Sequence, residues 1–141
     1  MRRIAIAALL LVSCASGAPR QRMLSVEVLE PVSQRRVLIG PHAYTVRVQN
    51  VSSQVMQIES IRVDIAGAGD LQLDGGMESI NETMASGETR DFPMYVTVSA
   101  MRGAQMPPDI TSLRVMITGR TEAGTFLDDD VHYIRHEGLG G

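Results

Sequence analysis

Apolar and polar residues alternate along most of the chain after residue 23, which is the period of a β-strand with one buried face. The clearest run starts at Phe92, where every second residue up to Val98 is apolar. Comparable runs start at Leu24, Tyr44 and Leu113, and each ends at a proline, a glycine or a cluster of turn-forming residues. Roughly seven to nine short strands, with turn signals about every 8–12 residues, predict an all-β, antiparallel sandwich.

Two segments depart from simple alternation. Met56 and Ile58 share one parity, but the apolar positions from Ile61 onward lie on the other, which predicts a β-bulge or a strand that changes sheets near Glu59-Ser60. Residues 77–84 fit either one or two helical turns or a short strand. We favour the strand, because the sequence ASGE that follows is a common turn before a strand in all-β domains.

The first residues have the pattern of an export signal. Two arginines precede nine apolar residues at positions 4–12, and small residues follow at positions 13–17. Nine apolar residues are too few to cross a hydrocarbon core, which needs about 20 in a helix. A permanent transmembrane span is therefore not expected.

Leu11-Val12-Ser13-Cys14 resembles the lipobox of bacterial lipoproteins. The resemblance implies that residues 1–13 are a cleaved signal peptide and that Cys14 becomes the first residue, lipidated on its sulfur and acylated on its amine. One acyl chain holds a protein on a membrane only marginally, whereas two or more acyl chains anchor the protein stably. Ordinary cleavage after residues 15–17 stays open as an alternative, and it would leave the chain without an anchor.

The same resemblance implies a location. Ala15 follows the cysteine where an aspartate would retain a lipoprotein in the inner membrane, so we expect the outer membrane of the bacterial cell envelope, on its periplasmic or surface face. Residues 14–22 then form a short flexible tether. Residues 23–136 form the folded domain, and residues 137–141 are expected to be a disordered tail.

The section from Tyr44 to Val98 resembles bacterial Ig-like modules of the fibronectin III, CARDB or LEA14/WHy kind, on the strings YTVRVQN and SGETRDFPMYV. The resemblance implies an Ig-like arrangement of the predicted sandwich. The tryptophan and cysteine pair of true immunoglobulin domains is absent from the sequence. Only the architecture is therefore implied.

Composition narrows the range of partners. Removal of residues 1–13 takes away two arginines and no acids, so eleven arginines remain against sixteen acidic residues, a net charge of −5. Such a chain, without a basic cluster, is poorly suited to nucleic acid. No cysteine other than Cys14 is present, so the domain depends on its hydrophobic core rather than on a disulfide.

Histidines and acids near the C-terminus are candidate metal ligands. His132 and His136 lie four residues apart in a predicted strand, which separates them by about 13 Å. That distance is too long for both histidines to bind one metal ion, so we expect both side chains to face solvent. Residues 128–130 are three aspartates, which could contribute to a calcium site. They lack the spacing of a calcium loop, and a solvated turn is favoured.

Nine methionines raise the alternative of a periplasmic copper-binding protein, because thioethers favour Cu(I). Its candidate ligands are Met101, Met106 and His132. Met56 and Met94 instead lie on the apolar parity of their strands and are expected in the core. We therefore favour no metal and no cofactor.

No sequence motif of a common enzyme class is present. We expect a non-enzymatic, membrane-anchored module that has membrane lipid and an envelope protein as partners. Its contacts are expected at an open sheet edge or at loops, of which four are candidates: those after Gly67, Gly75 and Gly119, and the loop at Pro107-Pro108.

Overall fold

The computed structural model describes residues 21–31, 38–66, 70–103, 105 and 110–137. Within these residues the chain forms eight β-strands and no helix, which confirms the all-β prediction. The strands are β1 (Leu24–Pro31), β2 (Gly40–Asn50), β3 (Met56–Ile65), β4 (Leu71–Gly75), β5 (Met77–Met84), β6 (Thr89–Ala100), β7 (Ser112–Thr121) and β8 (Gly124–Glu137). A helix capable of spanning a membrane is not found in the described residues.

The eight strands form one hydrogen-bonded sheet in the order β4-β6-β2-β1-β8-β7-β3-β5. We call β4-β6-β2-β1 the first half and β8-β7-β3-β5 the second half. The halves meet where Val28–Pro31 of β1 pairs in parallel with Ile134–Glu137 of β8. All other described pairs are antiparallel, so the prediction of a purely antiparallel sheet is wrong at this junction.

The junction arises because β1 contributes to both halves. Its residues 24–29 pair with β2, and its residues 28–31 pair with β8. Three consecutive residues, Val28, Leu29 and Glu30, are buried there, although alternation alone would expose one of them. We call the paired segments Val28–Pro31 of β1 and Ile134–Glu137 of β8 the seam.

The sheet nearly closes on itself on the side away from the seam. The backbone N–H of Val63 in β3 donates a hydrogen bond to the carbonyl of Gly76, 2.7 Å away, so the turn between β4 and β5 lies against β3. Gly76 has a φ of 77°, and a Cβ there would lie 2.9 Å from the Val63 carbonyl oxygen. Glycine is therefore required at this turn.

Inward-facing side chains from both halves form one apolar core, as the alternation predicts. Strand β2 contributes Tyr44, Val46 and Val48 to it, all at most 1% exposed. The prediction that Met56 and Met94 are core residues is confirmed, since both are buried. Burial of apolar surface on this scale is the main stabilising contribution to such a fold.

The predicted bulge is confirmed. The register of β3 shifts between Ile58 and Ser60 against both neighbouring strands, which leaves Glu59 as the extra residue relative to β7. On β5 the same irregularity places Asn81 at a φ of 52°, a left-handed conformation that asparagine tolerates better than most residues. Residues 77–84 form a strand, as favoured over the helix.

Candidate interaction face and buried acid–histidine cluster

The outer face of the second half carries large hydrophobic side chains in contact with solvent. Strand β8 contributes Leu127, Val131 and Tyr133, which are 63%, 51% and 82% exposed. Met77 of β5 is 64% exposed, and Met116 of β7 is partly exposed on the strand between. We call these five residues the apolar outer face.

Alternation along β8 explains why these side chains point outward. The even-numbered residues include Ile134, which is buried in the core, so the odd-numbered residues face solvent. Opposite them on β7 lie polar partners: Val131 pairs with Arg114 and Tyr133 with Ser112. Because these partners are polar or small, they leave the hydrophobic side chains uncovered.

Ion pairs surround the apolar residues of this face. The Nε of Arg114 donates to Asp129 Oδ1, 2.7 Å away, and this hydrogen bond holds the pKa of Asp129 below its ordinary value. Arg120 donates two hydrogen bonds to Gln57 Oε1, and its Nε lies 3.5 Å from Glu59 Oε1. The face therefore combines apolar area with arginines.

A second feature lies at the seam, where one buried carboxylate meets two histidines. The Oε1 of Glu30 is 3.1 Å from His42 Nδ1, and its Oε2 is 3.5 Å from His136 Nδ1. Glu30 and His42 are almost completely buried, and the His42 ring stacks on Tyr44 with centroids 5.8 Å apart. The other ring nitrogen of His42 lies 3.1 Å from the carbonyl oxygen of Leu38.

The contacts of His42 require a proton between its ring and Glu30. Its Nε2 faces a carbonyl oxygen, which only accepts, so Nε2 carries a hydrogen and donates it. Its Nδ1 then faces a carboxylate oxygen, and a hydrogen must lie between those two atoms as well.

The cluster connects three strands. Glu30 lies on β1, His42 on β2 and His136 on β8, and Glu30 is directly opposite His136 in the parallel register. A buried pair of this kind costs free energy when one partner is removed. We assign the cluster a structural role in holding the two halves together at the seam.

The histidine prediction is corrected by this geometry. His132 and His136 lie on one strand face, as expected, but that face is the inward one, shared with Ile134. Both are partly buried rather than fully exposed to solvent. Ile134 shares the parity of these two histidines, but Val131 and Tyr133 give the opposite parity an equal apolar signal, so the sequence did not decide the orientation of β8. His42 shares its parity with the core residues Tyr44 and Val46, and that was the signal for its burial.

The three aspartates do not form a solvated turn, because they lie within β8. Asp129 points outward to Arg114, and Asp130 accepts a hydrogen bond of 2.8 Å from Arg22. Asp128 is partly buried, which raises its pKa, and it lines a cleft with residues 21–23. The three carboxyl groups therefore have different partners.

The candidate copper ligands lie on separate segments. Met101 follows β6 and is exposed, and His132 lies within β8. Met106 and the predicted lipidation site Cys14 lie outside the described residues. Within the part of the chain that the structure describes, no three His, Cys, Asp or Glu side chains are arranged to hold a metal ion.

Only some of the four candidate loops lie within the described residues. Gly67 and Pro107-Pro108 lie outside the described residues. Gly75 forms the turn between β4 and β5, as expected. Gly119 is not followed by a loop, because β7 continues to Thr121; a Cβ at Gly119 would clash with the Phe126 ring and the backbone of β3.

The two sheet edges carry features that oppose the addition of a further strand. Strand β5 has the left-handed Asn81 and the acidic residues Glu78 and Glu82. The other edge strand, β4, is only five residues long and pairs with residues 96–100 of β6, and Pro93 lies in the part of β6 that extends past it. Bulges, charges and prolines are the usual means of blocking edge pairing. The outer face is therefore a better candidate surface than either edge.

No protein-family model matches this chain, and no curated protein matches it. Among solved structures, it is similar to a FixG-related protein from Vibrio parahaemolyticus, with 15% identity, a TM-score of 0.40, and coverage of 81% of this chain and 98% of that one. It is also similar to an ApaA protein from Bordetella pertussis, with 17% identity, a TM-score of 0.43, and coverage of 79% and 91%.

Proposed function

We propose that this chain is a lipid-anchored protein of the bacterial cell envelope and that its domain binds another envelope protein without catalysing a reaction. The lipobox-like residues Leu11 to Cys14 support the anchor. Residues 15–22 reach at most roughly 25 Å when extended, so the domain would work close to the lipid surface. Ala15 favours the outer membrane.

The apolar outer face is the observation that carries the interaction role. Contiguous exposed apolar groups on a folded domain mark protein interaction sites more often than chance. Tyrosine, methionine and arginine, which are enriched in the cores of protein interfaces, occur together here at Tyr133, Met77, Met116 and Arg114. The fold does not need these side chains, because they lie outside its core.

We further propose that the strand arrangement is an Ig-like sandwich, with the two halves as its layers. Support comes from β1, which pairs with β2 and then with β8, so that the first strand is divided between the layers. The inward faces of both halves share one core, which is the packing of a two-layer sandwich. This arrangement leaves the two outer faces free for contacts.

A capture experiment from detergent-solubilised envelope tests the interaction role. The full chain with Cys14 intact is used as bait, alongside a variant that carries Val131→Thr and Tyr133→Ser. We expect the unsubstituted chain to retain a specific protein and the variant to lose about tenfold or more of it, because aromatic residues at the centre of an interface contribute most of the affinity.

The matched control is Tyr95→Ser, which removes an exposed tyrosine from the opposite outer face. It should retain the partner fully. Equal retention by all three baits, or loss only with Tyr95→Ser, would contradict the proposal.

Mass spectrometry of the mature N-terminus tests the anchor separately. We expect a chain that starts at Cys14 and carries acyl groups, with labelled palmitate incorporated. Cys14→Ser should abolish incorporation and release the chain from the membrane fraction. An unmodified chain starting at Ala18 would refute the anchor.

Copper handling is the alternative class, and a titration of the mature domain with Cu(I) distinguishes it. Three methionines, Met56, Met84 and Met94, are fully buried in the core, which supports a role as packing residues. We expect no stoichiometric uptake. Uptake that is lost with His132→Phe would favour copper instead.

A further inference from the structure

Arg62 lies in the middle of the second half, among the residues of the apolar outer face. It is exposed on β3, directly opposite Met77 on β5 and Met116 on β7. Two methionines therefore flank one guanidinium along a single row across three strands. Contact with a partner at this point would remove water from the guanidinium.

The other arginines of this face already have acceptors. They form hydrogen bonds as follows: Arg114 with Asp129, Arg120 with Gln57, and Arg135 with Glu27. By contrast, Arg62 makes no hydrogen bond or ion pair within the described residues. Among the described arginines of this face, it is the one without an acceptor within hydrogen-bond or ion-pair distance.

We propose that the partner of this face is a protein that presents a carboxylate to Arg62, surrounded by apolar side chains that contact Met77 and Met116. This inference rests on the proposed interaction role and names the chemistry of the partner. Burial of a charge without a counter-charge is strongly unfavourable, so a purely apolar partner would bind this face poorly. A carboxylate can accept two parallel hydrogen bonds from the guanidinium.

A second copy of this chain fits the face less well. Dimers of identical chains are usually two-fold symmetric, so the same patch faces itself across the interface. Because Arg62 lies between Met77 and Met116, symmetric contact centred on this row would bring two uncompensated guanidinium groups together. Like charges in such an arrangement oppose association.

Site-specific photo-crosslinking in the cells that produce the protein tests the proposal. Benzoylphenylalanine replaces Tyr133 in the full chain, and the yield of protein adduct is compared for Arg62, Arg62→Met and Arg62→Glu. We expect each substitution to lower the yield about tenfold or more, because both remove a charge-assisted contact. Arg62→Met keeps the apolar area of the row, so it removes the charge alone.

The matched control is Arg102→Met, which makes the same change at an exposed arginine outside the face and should leave the yield unchanged. Thermal unfolding confirms that each variant is folded. Should Arg62→Met destabilise the domain, Arg62→Gln replaces it.

The outcomes separate this inference from the interaction role. An adduct that forms equally, or more strongly, with Arg62→Met overturns the carboxylate proposal and leaves the interaction role standing. An adduct that consists of two copies of this chain overturns the proposed partner. Absence of any protein adduct from the benzoylphenylalanine chain that keeps Arg62 overturns both. Once the partner is identified, replacement of its acidic residue by arginine should restore the yield with Arg62→Glu.

Discussion

The two outer faces of this domain have the same backbone pattern but different surface chemistry. The outer face of the first half is rich in hydroxyl and amide side chains, and Arg47 donates two hydrogen bonds to Asp91 at 2.8 and 2.9 Å within it. Its exposed large hydrophobic residue is Tyr95. The second half has Met77, Leu127, Val131 and Tyr133 exposed on its outer face.

Comparison of the two faces identifies the residues that the fold requires. Both inward faces are apolar, and they supply the core that stabilises the domain. Outward positions are not constrained in this way, as the polar first half demonstrates with the same strand architecture. The hydrophobic residues of the second half therefore call for an explanation other than folding, and the proposed protein partner would supply one.

The largest effect on the free energy of unfolding is expected from a substitution on β7, where an inward-facing and an outward-facing residue are neighbours. Ile117 faces inward and is fully buried, and Met116 next to it faces outward. Ile117→Ala should lower the free energy of unfolding by about 3 kcal/mol, because it removes buried methyl groups and leaves a cavity. Met116→Ala should change it by less than about 0.5 kcal/mol. Denaturant unfolding checks both, and equal losses would contradict the distinction between inward and outward positions.

The seam between the halves is expected to respond nearly as strongly. Glu30→Leu removes the carboxylate shared by His42 and His136, and we expect a loss of about 3 kcal/mol. Glu27→Leu is the matched control: Glu27 lies on the same strand, is half-exposed and forms ion pairs at the surface with Arg135 and Arg47, so its removal should cost far less. Equal costs in denaturant unfolding would show that the cluster does not hold the seam.

The smallest effects on stability are expected from the arginine–aspartate pairs on the two faces, and the two pairs should contribute about equally. Hydrogen bonds from arginine hold the pKa of Asp91 on the first face and of Asp129 on the second below the ordinary value. Each pair therefore stabilises the folded state above the ordinary aspartate pKa of about 3.9, and this contribution is lost as the pH falls through the lowered pKa.

Asp91→Asn and Asp129→Asn should each reduce the fall of the melting temperature between about pH 4 and pH 2 by a small amount, since both pairs are exposed. Thermal unfolding across this pH range measures the effect. If only one of the two substitutions changed the pH dependence of the melting temperature, the faces would differ in the strength of their ion pairs as well as in apolar content.

The sequence was sufficient to predict most local features. Alternation identified strands around Leu24, Tyr44, Phe92 and Leu113, and the change of parity located the bulge at Glu59. These features depend on neighbouring residues alone. The burial of Met56 and Met94 followed from the same parity argument.

Long-range features could not be predicted in the same way. The parallel pairing of β1 with β8 joins residues more than one hundred positions apart, and no local pattern specifies it. The orientation of β8 was equally hidden, because Val131 and Tyr133 lie on one parity and Ile134 on the other. Either face of such a strand could be the buried one. Only the folded structure therefore shows that Tyr133 is exposed.

Oxidative footprinting of Tyr133 and Tyr95 tests whether the outer face of the second half is the binding face. Both tyrosines are exposed in the domain, so hydroxyl radicals should modify them at similar rates when the purified chain is examined alone. In intact envelope, we expect Tyr133 to be protected severalfold and Tyr95 to react as before. Equal reactivity of Tyr133 in both settings, or protection of Tyr95 alone, would contradict the assignment of the second half as the binding face.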